Sequence, residues 1–299
     1  MTERLTRATL GTLPARRRLE ERVARALLLV ASSLAIVVLV WLIGRTAAIG
    51  LPLINWNFLT ATQSRFPAKA GIGPALLGSL WLGGLVLVMA VPVGIMAGIY
   101  LNEYARQNRF TSFLRTTIAN LAGVPSIVFG ILGLALFVRT FGLNQRGAGI
   151  LIAGALTLAV MSLPIIIVAT EEALKAVPQA MREAAYGLGA TKWQVTKDHV
   201  LPYAVPGILT GTILAVARAM GETAPLILVG GATAIFTYPS SPLDVYTALP
   251  LQTYNWAAKP QAAFRELAAA GTLVLLAFIL TLNLGAILLR SRYQKKLKW

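Results

Sequence analysis

Long runs without a single Asp, Glu, Lys or Arg constrain this chain more than any other feature. Such runs cover 26–44, 70–102, 116–138, 147–170 and 267–289, and 203–237 is apolar except for Arg218 and Glu222. A helix needs about 20 apolar residues to cross about 30 Å of hydrocarbon, because no water satisfies backbone groups there. Six runs of this length predict six transmembrane helices and an all-α, polytopic membrane protein. Composition agrees. Apolar residues make up 57% of the 299 and charged residues only 13%, against about 25% charged in soluble domains. That excludes disorder, a coiled coil and an ordinary soluble enzyme. The first run, Ala26 to Gly44, exceeds the ~7–15 residues of a secretion-signal core and predicts a transmembrane helix.

The net charge is +16, and its distribution predicts orientation through the Lys/Arg bias of inner loops. Nineteen Lys and Arg fall in alternate segments: the N-terminal tail (1–25), loops 103–115 and 171–202, and the C-terminal tail (Arg290 onward). The other loops hold seven, including Arg146, and Arg218 is left over. Both termini are therefore expected on the cytoplasmic side. The basic tails, with Arg4 and Arg7 at one end and Lys298 at the other, are read as topology signals facing anionic membrane lipid; no nucleic acid is expected. Trp41, Trp56, Tyr238, Tyr246, Tyr254 and Trp256 are expected as an outer aromatic belt, with Tyr100, Tyr104, Trp193, Tyr203 and Tyr293 as an inner one. With no cysteine and one histidine, no thiolate or His-cluster metal site is expected.

The 171–202 loop is patterned. Pro178 can open a helix as its first residue. Met181, Ala184, Ala185 and Leu188 recur at i, i+3, i+4 and i+7, one apolar face, with Arg182, Glu183 and Tyr186 opposite. Gly187 and Gly189 supply a stop, and Thr191 can cap a second helix through Trp193 to Leu201-Pro202. Periodicity leaves two readings open, a helix shown to a soluble partner or one lying on the membrane. An alanine-rich face with no Phe or Trp is a poor lipid anchor.

Glu183-Ala184-Ala185, three residues, Gly189, then Leu201-Pro202 resembles the EAA loop of ABC-importer permeases; His199 stands where that pattern has Ile. The resemblance implies that Met181, Glu183, Ala184, Ala185, Leu188, Gly189, Leu201 and Pro202 belong to a coupling loop seated in an ATPase subunit. The chain has no Gly-Lys dipeptide, hence no phosphate-cradling nucleotide loop. No cofactor is expected on this chain; ATP and Mg are expected in a partner subunit.

Arg218 falls fifteen residues after Tyr203, roughly 22 Å along a helix at about 1.5 Å per residue. An isolated charge at such depth costs about 2.5–3.5 kcal/mol or more. Glu222 follows at i+4, so the two can pair on one helix face. Either the pair locks two helices, or Arg218 binds a tetrahedral oxyanion through parallel hydrogen bonds. The run Ala217-Arg218-Ala219-Met220-Gly221-Glu222-Thr223-Ala224-Pro225 is similar to the signature of phosphate-specific ABC permeases of the PstA branch. Gly98 to Tyr104, Val124 to Gly130 and Glu171 to Pro178 also match, and the resemblance covers about residues 70–290. It implies a MetI-like ABC permease fold, inorganic phosphate as substrate, and Arg218, Glu222 and Thr223 in the pathway. Pro125 and Ser126 interrupt the third run, and Ser126 joins the candidate pathway residues. Implied partners are a PstC-like permease, a PstB-like ATPase dimer and a PstS-like phosphate-binding protein. The expected organisation is a tail (1–25), a first helix with outer loop (26–69), a permease core (70–290) and a basic tail (291–299). Rival readings are a permease for sulfate, molybdate or an amino acid, and an ion-driven secondary transporter. The latter would need charges in several helices. A membrane enzyme lacks a catalytic cluster.

Overall fold

The computed structural model describes residues 15–145, 148–231 and 235–296. Arg4, Arg7, Arg146 and Lys298 lie outside the described residues. Two units are distinguished, Met1–Ile49 and Gly50–Trp299.

The first unit is the body of one helix, α1 (Ala15–Gly50), so helical structure begins within the stretch expected as a tail. Its apolar segment is long enough to span a membrane, and Arg45 lies over the Trp41 ring at 5.6 Å.

The second unit is helical. It runs through α2 (Trp56–Thr60), α3 (Gly73–Ile99), α4 (Arg109–Leu121), α5 (Ser126–Gly133) and a two-stranded hairpin, β1 (Asn144–Gln145) with β2 (Ala148–Gly149). Then come α6 (Leu151–Lys175), α7 (Gln179–Gly187), α8 (Lys192–Gln194), α9 (Leu201–Gly221), α10 (Ala224–Leu228), α11 (Leu249–Ala257) and α12 (Ala262–Lys296). Among the described residues five helices can cross a membrane, or six when α4 and the helical stretch Ser126–Thr140 are taken as one bent span.

Helix α6 is the hub, with 67% of its apolar window buried against 6% for α12. Small residues explain how its neighbours approach. On α3, a Cβ at Gly94 would stand 2.7 Å from Ile166, and one at Gly98 would stand 2.6 Å from Thr170. On α9, a Cβ at Gly207 would stand 2.8 Å from Ala173, and one at Gly211 would stand 2.2 Å from Ala169. Both seams repeat at i and i+4. Close backbone approach is the main packing device where lipid is as apolar as the side chains.

Two expected spans have different shapes. The third breaks, and α4 and the stretch from Ser126 make an angle of 103°. Pro125 holds an extended ψ of 137° and lacks the N–H that a continuing helix would need. Asn108 caps α4 by accepting from the Thr111 N–H at 2.8 Å. The fifth starts earlier and stops sooner than 203–237. Its helix is continuous from Lys192 to Gly221 and passes through Leu201-Pro202; the stretch just before that proline, Val195–Val200, is wound more widely than an α-helix, which accommodates a residue without an N–H.

The end of the bundle at Leu151 is closed by the residues that follow α10. Gly230 takes φ +89°, a left-handed turn that suits glycine, and Ile150 bridges Val245. Tyr246 and Trp256, expected in an aromatic belt, are instead buried. The Tyr246 hydroxyl would lie 2.4 Å from a Cβ at Gly154, so only glycine leaves room for that ring. Trp56 and Tyr254 do remain exposed. Residues 54–72 pack onto this end through Phe58 and Ile72 against Leu249, Trp256 and Phe264. Gln63 donates to Gln252 and accepts from the Ile235 N–H. Residues 50–69 thus belong to the second unit. In the exposed loop before Tyr246, backbone and hydroxyl donors of Ser240, then the Ser241 N–H, hold the Asp244 carboxyl below its usual range.

Candidate functional site

Two groups of predicted residues lie in different parts of the bundle. The first is the charge pair. Helix α9 ends at Gly221, so Arg218 occupies its last turn and Glu222 is the cap residue with extended backbone, not a member of the same helix face. The pair still forms, Arg218 Nε to Glu222 Oε1 at 3.5 Å. A cation is favoured at a helix C-terminus and a carboxylate is not, so each needs the other differently. The buried neighbours Ala219 and Met220 turn inward and leave Arg218 half exposed. Its Nη atoms form no hydrogen bond among the described residues, so the N–H edge of the guanidinium that they form stays available for a bidentate acceptor.

The sequence after the pair folds back. Pro225 and Leu226 are buried, and α10 packs on α5 so closely that a Cβ at Gly130 would stand 2.7 Å from the Pro225 Cα. This brings the chain segment holding Thr223 beside the element that Ser126 begins. Thr223 and Ser126 are half-buried and Pro125 is exposed. No hydrogen bond joins Ser126 or Thr223 to Arg218 or Glu222 among the described residues, so those two are neighbours by element and not by contact.

A separate cavity of about 550 Å³ lies between α3, α9 and α12, lined by residues such as Leu87, Val216 and Phe278. No charged side chain lines it, and Arg218 is not part of it. Among the described residues no three His, Cys, Asp or Glu side chains could hold a metal together.

The second group is the loop after α6. Pro178 directly precedes α7 and does not form its first turn. The face turned to the bundle is Met181, Arg182 and Ala185. Glu183, Ala184, Tyr186 and Leu188 are exposed, Leu188 to 90%. The apolar face expected from periodicity is therefore split, with Ala184 and Leu188 outside and Arg182 inside. Gly189 adopts φ +83°, which favours glycine and ends the helix. Thr191 and Gln194 then cap α8 reciprocally. Leu201 and Pro202 are half-buried in the continuous helix, and His199 is exposed.

Arg182 turns inward because of Glu103, which the sequence marked as a span boundary and as part of the Gly98 to Tyr104 match but not as its partner. One of its Nη atoms donates to both Glu103 oxygens, at 2.6 and 2.7 Å, and the other donates to the Leu174 carbonyl at 2.8 Å. A second link joins Arg115 Nε to Glu171 Oε2 at 3.4 Å, with Lys175 at 3.8 Å from the same oxygen. For Glu103, Arg115 and Glu171 the readable signal was their place at the ends of apolar stretches; Arg182, inside the loop, gave none.

A bundle of apolar spans with a charge pair at one helix end and a short helix with an exposed edge at the other has the form of a membrane-embedded helical protein. The family described as binding-protein-dependent transport system inner membrane component matches residues 90–298. Probable ABC transporter permease protein YqgI of Bacillus subtilis is 32% identical, over 94% of this chain and 98% of its own length. Phosphate transport system permease protein PstA 1 of Mycobacterium tuberculosis is 36% identical over 93% and 90%. Its namesake PstA of Yersinia pestis is 36% identical over 94% and 92%. Among solved structures, a bacterial alginate ABC importer aligns with TM-score 0.61 over 92% of this chain and 99% of that one, at 19% identity. The MetNI methionine transporter aligns at 0.57 over 75% and 94%, at 18% identity. The chain belongs to the binding-protein-dependent transport system inner membrane component family. It is a multi-pass membrane protein with the helical fold of that family, and its role is that of a permease subunit.

Proposed function

We propose that this chain is the permease subunit of an ATP-driven phosphate importer, and that it forms half of the translocation pathway. The carrying observation is Arg218 with Glu222 in the Arg-Ala-Met-Gly-Glu-Thr-Ala-Pro run, in a chain whose relatives include phosphate permeases at 34–36% identity. The partners are a PstC-like permease, a PstB-like ATPase dimer that binds ATP and Mg, and a PstS-like phosphate-binding protein. Both termini face the cytoplasm, and the membrane is a bacterial or archaeal cytoplasmic one. An inside-negative potential opposes anion entry by about 2.3 kcal/mol per charge per 100 mV, so uphill uptake of phosphate needs a source such as ATP.

In the proposed cycle the ATPase grips the exposed edge of α7, at Glu183, Ala184 and Leu188. Closure of the ATPase dimer moves the bundle. Phosphate delivered from outside meets Arg218, whose free Nη groups donate two parallel hydrogen bonds to a tetrahedral oxyanion. Glu222 holds the guanidinium between substrates and repels a second anion. The family assignment disfavours an ion-driven carrier, and the phosphate permease relatives disfavour a sulfate or molybdate permease. Radiolabelled phosphate uptake by the assembled transporter tests the substrate. Phosphate uptake that excess sulfate leaves intact is expected, and full competition by sulfate contradicts the assignment.

A further inference from the structure

We infer that the Arg182–Glu103 ion pair is the strut through which the projecting helix α7 drives the bundle, which makes Arg182 a positioning residue for transport. This inference rests on the permease reading above and deepens it.

The geometry places one side chain across three elements. Arg182 belongs to α7. Glu103 lies in the wide helical turn Tyr100–Tyr104 that ends the α3 span, and Leu174 lies in the last turn of α6. The pair is 79 residues apart in sequence, and both side chains are largely shielded, at 13% and 7% exposure. Asn102 Nδ2 also donates to Glu103 at 2.8 Å.

Shielding and charge make this contact stiff. A charge-assisted bond is short and about twice as strong as a neutral one. Breaking one partner of a shielded pair leaves the other charge without compensation. A carboxylate at the C-terminal end of a helix is disfavoured by the helix dipole, so Glu103 needs Arg182 more than a surface acid would. Meanwhile the opposite edge of α7 is free for a partner. A push on Glu183 or Leu188 thus has a direct route, through Arg182, to α3 and α6 together. Those two helices are locked along the Gly94 and Gly98 seam. Exposed surface pairs contribute little and would slip under load; the Arg25–Glu21 pair on α1 is of that kind.

The test uses the complete transporter in proteoliposomes, with phosphate uptake and ATP hydrolysis read in the same sample. The variants are Arg182→Gln and, separately, Glu103→Gln, which keeps Arg182 and its bond to Leu174. Expected are normal co-purification of the ATPase and hydrolysis within about twofold of wild type, with uptake per ATP reduced about tenfold. Because the chain has no cysteine, Glu103→Cys with Arg182→Cys can be bridged by a bis-maleimide. Bridging is expected to restore most of the lost coupling. Unchanged uptake per ATP in both variants overturns the strut. Loss of ATPase co-purification in both overturns it too, because the pair would then only shape the docking surface. A bridge that forms without restoring coupling has the same consequence. Failure of the wild-type assembly to take up phosphate contradicts the functional reading instead, and is distinguishable because no variant is involved.

Discussion

At the scale of single residues, the fold depends on positions where a side chain is missing. Gly211 is the clearest. The Cβ it lacks would fall 2.2 Å from the Ala169 Cβ, inside the seam between α9 and α6. Gly211→Val should destabilise the subunit by about 1–3 kcal/mol through overpacking, read as a lower thermal midpoint in detergent. An unchanged midpoint would show that this seam is looser than described. Gly187 makes the contrast, since nothing lies within 4 Å of its missing Cβ. Composition shows both glycines, and only the packing separates them. The same holds for charge. Arg218 and Glu222 were legible as a pair from their i, i+4 spacing. That Glu222 lies just past the helix end was not, because the apolar run continues beyond Gly221 while the backbone turns.

At the scale of elements, hydrophobic runs located the spans and misjudged their shapes. An apolar run reports solubility in lipid, not straightness. Val124-Pro125 breaks the third run because proline restricts the residue before it and supplies no N–H. The 192–221 helix passes through Pro202 because the turns before it, Val195–Val200, widen. Helix α7 was found from its period, yet its faces were misassigned. Arg182 was placed outward on polarity alone, whereas Glu103, far off in sequence, draws it inward. The exposed edge at Glu183 and Leu188 carries the next prediction. Glu183→Lys should weaken ATPase co-purification, while the subunit's own stability changes by no more than about 0.5 kcal/mol, as for other exposed positions. Normal co-purification would count against this edge as the docking surface.

At the scale of the whole molecule, ATP-driven import requires the α7 end to face the cytoplasm. The absence of cysteine makes this directly measurable. Ser240→Cys, in the loop that closes the opposite end, should react with a membrane-impermeant maleimide added outside intact cells. Lys192→Cys, just after α7, should react only after the cells are opened. The reverse pattern would invert the topology and place the basic segments outside. The +16 charge then reads largely as orientation, with Arg218 apart from it.

Everything proposed for transport turns on Arg218 receiving phosphate in the pathway. The most direct measurement is phosphate uptake by the fully assembled transporter carrying Arg218→Gln, with subunit assembly checked in the same preparation. Expected are intact assembly and uptake reduced by about 30-fold or more, as for loss of one partner from a close charge pair. Uptake equal to wild type, with assembly intact, would contradict it.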